Sequence, residues 1–206
     1  MPKERKVSLI SSDVSSLVID ALCEQAVGGK AAVACFYFDF TAQEEQSPTA
    51  ILGLVLKQIV GGLDEIPEGI VKAFRDRGKV IGGQKLALSE IVKFLQDISS
   101  SRSIFICIDA LNECPAGHRV TLLGSLNQVL QKSPGARIFL TGRPHIRDEV
   151  ERHLAEKAAT RSITPAKDDI TIFLRAKLKV DTMPDAMDKS LEEEIIKNIP
   201  EIVSEM

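Results

Sequence analysis

The chain of 206 residues is long enough for one α/β domain with a sizeable core and a small additional unit. Its formal net charge of -3 argues against a general binder of nucleic acid or of an anionic membrane, because such proteins usually carry a basic excess. The N-terminus lacks the apolar core of a signal peptide, and no apolar run has the length of a membrane span. We therefore expect a cytoplasmic protein, with its four cysteines reduced.

The N-terminal part of the chain predicts a helix followed by a strand. Residues 6–10 could form a short strand or a frayed start, and Ser12 or Asp13 can cap the helix that follows. Residues 31–40 are rich in aromatic and β-branched side chains, which is typical of a strand. The apolar face of the helix is expected to hold Val14, Leu17, Val18, Ala21 and Leu22.

The middle of the chain alternates between helical and strand patterns. Ser47 and Pro48 suit the N-cap and the first turn of a helix, which the glycine pair at 61–62 ends. The apolar run over 104–108 is uninterrupted and β-branched, as expected for a strand buried on both faces. Further helices are predicted over 67–76, 88–98, 120–130 and 146–154, and a further strand over 136–141.

This alternation predicts the fold class and the domain boundaries. Strands that alternate with helices favour an α/β fold with a parallel, doubly wound sheet flanked by helices. A last strand is possible over 160–164, after which only helices are predicted, over 165–178 and 191–199. We therefore expect a core domain over 1–164 and the start of a helical subdomain over 165–206.

Asp109 directly follows the apolar run over 104–108. A carboxylate at the carboxyl end of a buried parallel strand lies where open α/β sheets bind their ligands. This is the pattern of a Walker B strand, whose acid holds Mg²⁺ on a nucleotide phosphate. The alternative is a buried strand whose terminal aspartate caps the next helix, because short apolar runs are not specific.

Three segments resemble the NACHT NTPase domains of fungal signalling proteins. These domains belong to the STAND class of P-loop NTPases and are related to the nephrocystin-like N-terminal domain. The segments occur in the same order and at similar spacing: F-Y-F-D-F at 36–40, I-D-A-L-N-E-C at 108–114 and I-F-L-T-G-R-P at 138–144. With the segment at 165–174, the resemblance extends over residues 14–206.

The resemblance implies ATP or ADP with Mg²⁺ as cofactors, and a role for each matching residue. Asp109 matches the acid that binds Mg²⁺, and Arg143 matches the arginine that senses the γ-phosphate. Glu113 is the remaining acid that could polarise the attacking water. Asn112 stands where the family has a second acid, and an amide cannot act as a base.

The phosphate-binding loop of the family is not recognisable in this chain. A P-loop needs glycines, a lysine and a Ser or Thr, but here the corresponding residues are Ile10, Ser11 and Ser12. Ser12 could mimic the hydroxyl that binds the metal. Losing two or three charge-assisted hydrogen bonds of roughly 1.5–3 kcal/mol each would weaken nucleotide binding by several orders of magnitude. Unless residues 6–10 replace the central strand of the family, the sheet is expected to have a gap.

These residues lead to one expected function and two alternatives. We expect a degenerate nucleotide-switch domain of a cytosolic signalling protein, truncated at both ends and related to innate immunity or heterokaryon incompatibility. It would be at most a weak NTPase, and would interact with other protein chains by self-association or through effector domains. Nucleic acid and membranes are not expected partners. The alternatives are an NTPase whose phosphate cradle comes from missing sequence or a partner chain, and a ligand-free scaffold.

Overall fold

A computed structural model describes residues 3–26, 31–42, 45–78, 85–154, 159–163, 166–179 and 189–204, without the side chains of 3–14, 77–78, 179 and 202–204. The chain divides into two compact units, residues 1–158 and 159–206. The division follows residue 158, whereas the sequence predicts a boundary after 164. No helix in the described residues is long and apolar enough to cross a membrane.

The first unit contains a parallel sheet and six described helices, and the second contains a helical pair. In the first unit the elements are α1 (Lys3–Ala26), β1 (Ala31–Tyr37), α2 (Pro48–Gly61), α3 (Glu68–Gly78), α4 (Leu88–Ser101), β2 (Ser103–Asp109), α5 (Ala116–Lys132), β3 (Ala136–Leu140) and α6 (Arg147–Leu154). Short 3₁₀ turns lie at Phe40–Ala42, Leu111–Glu113 and Pro144–Ile146. In the second unit α7 (Lys167–Lys179) packs against α8 (Lys189–Ser204).

The sheet has three parallel strands in the order β1-β2-β3, so β2 is central. Ile106 pairs with Ala34 on one side and with Ile138 on the other. The prediction of an α/β fold with a parallel sheet flanked by helices is confirmed. A doubly wound sheet reverses its strand order at a switch point, and the three described strands show no such reversal.

The main core lies between one face of the sheet and the helices α2, α4 and α5. Alternate residues of β2 point to this face, and Ile104, Ile106 and Ile108 are all fully buried there. Each such side chain contributes roughly 1.5–3 kcal/mol on transfer from water. The opposite face of β1 and β2 packs against α1. This arrangement places Cys107 and Asp109, which alternate with the isoleucines, on the α1 side.

The prediction of a short strand over 6–10 is wrong, because these residues lie inside α1. The helix begins at Lys3, so Ser12 and Asp13 are interior residues and not N-caps. The expected gap in the sheet is also absent, since β2 and β3 pair directly. Direct pairing satisfies backbone N–H and C=O groups that a gap would leave buried without partners.

The N-cap of α2 lies where the sequence predicts it, whereas two predicted strands differ from the structure. The Ser47 hydroxyl accepts a hydrogen bond from the backbone N–H of Ala50 at 3.3 Å, and Pro48 occupies the first turn. The strand predicted over 31–40 ends at Tyr37, because the chain turns into the 3₁₀ helix at Phe40–Ala42. Residues 159–163 form no strand, and residue 164 lies outside the described residues.

A side-chain amide closes the outer edge of β1. Gln58 Oε1 accepts a hydrogen bond from the backbone N–H of Cys35 at 3.0 Å, and Gln58 Nε2 donates to the Cys35 carbonyl at 2.8 Å. The amide therefore takes the place of a neighbouring strand at this residue, and α2 covers an edge that is otherwise open to strand addition.

Candidate functional site

The candidate site lies at the carboxyl edge of the sheet, where the loops after β2 and β3 meet. Asp109 is the last residue of β2, and its side chain is 5% exposed. Thr141 follows β3, and its backbone N–H donates to the carbonyl of Ile108 at 3.0 Å. Parallel strands end at the same edge of a sheet, so residues distant in the sequence come together here.

Two hydroxyl groups donate to the Asp109 carboxylate. Thr141 Oγ1 donates to Asp109 Oδ1 at 2.5 Å, and Ser15 Oγ of α1 donates to the same oxygen. Ser15 is 1% exposed. Hydrogen bonds to an ionised carboxylate are roughly twice as strong as those between neutral groups. The carboxylate therefore joins α1 to the residue that follows β3.

Thr141 also holds the backbone turn that follows Asp109. Ala110 adopts a left-handed conformation with φ of 55°, which is uncommon for a residue other than glycine. Its N–H donates to Thr141 Oγ1 at 3.1 Å, and the N–H of Leu111 donates to the Thr141 carbonyl at 2.9 Å. These bonds offset the roughly 1–2 kcal/mol by which a left-handed residue is disfavoured.

Glu113 and Arg143, the two predicted catalytic residues, lie side by side. Arg143 Nη2 is 3.5 Å from Glu113 Oε1, and both side chains are half-buried. Asn112 Nδ2 donates to the same carboxylate oxygen at 2.7 Å. The structure therefore brings Glu113 and Arg143 together on adjacent loops, where they form an ion pair with each other.

The described hydroxyl of α1 that contacts Asp109 belongs to Ser15 and not to the predicted Ser12. The side chain of Ser12 lies outside the described residues. Ser15 and Ile19 are buried, whereas Leu17, which the sequence places on the apolar face, is 70% exposed. In the sequence, the buried face of α1 corresponds to a second set of residues at helical spacing. This set includes Ser15 and Ile19 and is less apolar than the predicted face.

The described residues offer a carboxylate for Mg²⁺ but no cradle for phosphates. Asp109 is a suitable oxygen ligand, since Mg²⁺ in nucleotide sites binds one or two carboxylates together with phosphate oxygens. No group of three His, Cys, Asp or Glu side chains in the described residues could hold a metal. Residues 1–27 contain no glycine, and the backbone N–H groups inside α1 already serve its own helical hydrogen bonds. Among the described residues, α1 therefore supplies no phosphate cradle at this site.

Comparison with known protein families identifies a match to a described family. The Nephrocystin 3, N-terminal family matches residues 11–143, which is more than half of the chain. This segment includes all three strands as well as Asp109, Glu113 and Arg143. A search of curated proteins finds no match. The predicted relation to the nephrocystin-like N-terminal domain is thus confirmed, and the chain belongs to the Nephrocystin 3, N-terminal family.

Proposed function

We propose that this chain is a degenerate nucleotide-switch domain of the NACHT and STAND type that acts as a pseudo-NTPase. It would serve as an interaction module in a cytosolic signalling protein of the innate-immunity or heterokaryon-incompatibility kind. The observation that carries the proposal is the Asp109 carboxylate, whose Oδ1 already accepts hydrogen bonds from Ser15 and Thr141.

The helix α1 supports the loss of nucleotide binding. A working P-loop turns sharply through glycines so that several backbone N–H groups point at the phosphates. In this chain the corresponding residues, Ile10 to Ser12, lie in continuous helix, and no lysine stands among them. The phosphates of ATP would therefore lack both the backbone donors and the cation that usually bind them.

The pairing of Glu113 with Arg143 supports the loss of hydrolysis. A water-activating carboxylate and a phosphate-sensing arginine must both face the γ-phosphate. Here Arg143 lies against Glu113, and the Asn112 amide binds the same carboxylate. These two side chains stabilise the loops after β2 and β3, which is a structural role that needs no nucleotide.

One observation favours a second candidate, an NTPase that receives its phosphate cradle from missing sequence or from a partner chain. The predicted residues Asp109, Glu113 and Arg143 all lie at the carboxyl edge of the sheet, at the end of β2 or in the loops that follow β2 and β3. A third candidate is a ligand-free scaffold, which would not require these three residues to lie together at the edge of the sheet.

Calorimetry with Mg²⁺-ATP and with ADP separates the first two candidates. We expect no binding at nucleotide concentrations up to about 1 mM. Micromolar binding that is lost in Asp109→Ala but kept in Asp20→Ala, an exposed aspartate of α1, would favour the NTPase and overturn the pseudo-NTPase proposal.

Sedimentation velocity tests the interaction role. We expect self-association that rises with protein concentration and is the same with and without Mg²⁺-ATP. A folded monomer at every concentration would contradict self-association and favour the ligand-free scaffold. Association that appears only with Mg²⁺-ATP would instead indicate a working nucleotide switch.

A further inference from the structure

The helix α1 packs on the second face of the sheet, and its described side chains, those of residues 15–26, include few buried apolar ones. Among the described side chains of α1, Ser15 and Ile19 are the ones that are fully buried. Leu17 is largely exposed, and α1 contacts β1 and β2 but does not belong to the main hydrophobic core. Within residues 15–26, the part of α1 whose side chains the structure describes, one buried isoleucine supplies little apolar attachment, so polar contacts contribute much of the specificity of the packing there.

The buried polar attachment of α1 lies at Asp109, and the exposed Ser16 side chain makes a second polar contact, with Tyr37 of β1. The Asp109 carboxylate is nearly inaccessible to solvent and accepts the Ser15 hydroxyl, which is also buried. A carboxylate in this environment needs hydrogen-bond donors, because a buried charged group without them is strongly destabilised. The contact therefore stabilises both partners, the acid and the helix.

We propose that Asp109 is the docking point of α1 and that breaking its hydrogen bond to Ser15 releases α1 from the sheet while the main core stays folded. The acid that the resemblance assigns to Mg²⁺ would then hold a helix in place. While α1 is docked, neither a ligand nor a partner protein reaches Asp109 or the covered face of β1 and β2. This role does not depend on the proposed pseudo-NTPase function, since it concerns a contact within the chain.

Two buried cysteines report separately on α1 and on the main core. Cys107 and Cys114 are each 2% exposed. Cys107 lies on the α1 side of β2, two residues before Asp109, whereas Cys114 belongs to the main core on the opposite face. Burial raises the pKa of each thiol to about 11, so the two have similar intrinsic reactivity. Release of α1 alone would expose Cys107 and leave Cys114 buried.

The experiment measures the rate at which N-ethylmaleimide labels each cysteine in the full chain, with the labelled peptides identified by mass spectrometry. In Ser15→Ala we expect Cys107 to be labelled about tenfold faster than in the wild type, as expected when one charge-assisted hydrogen bond is lost. Asp109→Asn keeps an oxygen that can accept from Ser15 but removes the charge, so it should accelerate Cys107 labelling to a smaller extent. Labelling of Cys114 should stay unchanged in both variants.

Asp20→Ala is the control, because it removes a polar side chain at an exposed residue of the same helix. We expect it to accelerate Cys107 labelling much less than Ser15→Ala does. Unchanged Cys107 labelling in both Ser15→Ala and Asp109→Asn would overturn the proposal. Equal acceleration of Cys107 and Cys114 would overturn it as well, because α1 would then not separate from a folded core.

Discussion

The backbone N–H of Arg143 donates a hydrogen bond to Asn112 Oδ1 at 3.1 Å. The same amide donates through Nδ2 to Glu113 at 2.7 Å. Asn112 therefore accepts a hydrogen bond from the loop after β3 and donates one within its own loop, which follows β2. A carboxylate at this position could accept but could not donate, so the asparagine suits this arrangement better than the acid that the NACHT resemblance expects there.

Asn112→Asp should lower the free energy of unfolding by about 1–2 kcal/mol, because it removes a donor and places two carboxylates side by side. Urea denaturation near neutral pH measures the loss. Asn198→Asp, at an exposed residue of α8, is the control and should change stability little. An Asn112→Asp variant as stable as the wild type would show that the amide donor is dispensable.

Gly135→Ala should destabilise the protein by about 2 kcal/mol or more, because an added Cβ meets backbone that cannot easily move. That atom would lie 2.5 Å from the carbonyl oxygen of Ser99 and 2.8 Å from that of Arg102. The Gly135 carbonyl also accepts a hydrogen bond from the backbone N–H of Ile104 at 3.0 Å, so a shift would disturb the start of β2.

Gly124→Ala is the matched control for Gly135→Ala. Gly124 lies inside α5, and a Cβ there meets nothing within 4 Å. We expect this variant to raise stability by about 0.5–1 kcal/mol through helix propensity. Thermal unfolding of both variants checks the pair, and similar melting temperatures would refute the steric argument.

Arg119→Ala should destabilise the protein by about 2 kcal/mol, because it leaves a half-buried carboxylate without its cation. Arg119 Nη2 lies 2.8 Å from Glu149 Oε2, and Nη1 donates to the Cys114 carbonyl at 2.7 Å. The pair links α5 to α6. Chemical denaturation of Arg119→Ala, Glu149→Ala and the double variant gives the coupling between the two side chains.

The loss in the double variant should be smaller than the sum of the two single losses. Arg147→Ala is the comparison, since its ion pair with Glu151 is solvent-exposed and spans one helical turn. That variant should change stability little. Additive single losses at Arg119 and Glu149 would mean that the ion pair contributes nothing to the packing of α6.

Stability should fall as the pH rises from about 9 to about 11, by about 2–3 kcal/mol for each buried thiol. Burial raises the pKa of Cys107 and of Cys114 from the ordinary 9.0 to about 11. The unfolded chain therefore releases these protons near pH 9, whereas the folded chain keeps them until about pH 11. The contribution is fully present below pH 9 and lost as the pH rises through this interval.

Urea denaturation at several pH values between about 8 and 10.5 measures this slope. The double variant Cys107→Ala and Cys114→Ala should show a shallower slope. Cys23→Ser, at an exposed cysteine of α1, should keep the slope of the wild type. The assignment to the buried thiols would be wrong if the double variant and the wild type lost stability in parallel.

Local patterns in the sequence predicted much of the first unit because they reflect short-range preferences. The β-branched run before Asp109 forms the central strand, and Ser47 caps α2 as its position before Pro48 suggests. Asp109, Glu113 and Arg143 come to one edge because parallel strands present their following loops together. These features depend on residues close in sequence and on a general rule of α/β sheets.

The sequence by itself determined the strands, the helices that cross over between them and the edge that carries the acids. Only the tertiary structure decided which face of α1 is buried and which strand neighbours β2. Ser15 and Asp109 are 94 residues apart, and no local preference couples them. Residues 6–10 are compatible with helix or strand, and direct pairing of β2 with β3 leaves no sheet position between these two strands for them. Their conformation therefore depends on backbone hydrogen bonds made elsewhere in the fold.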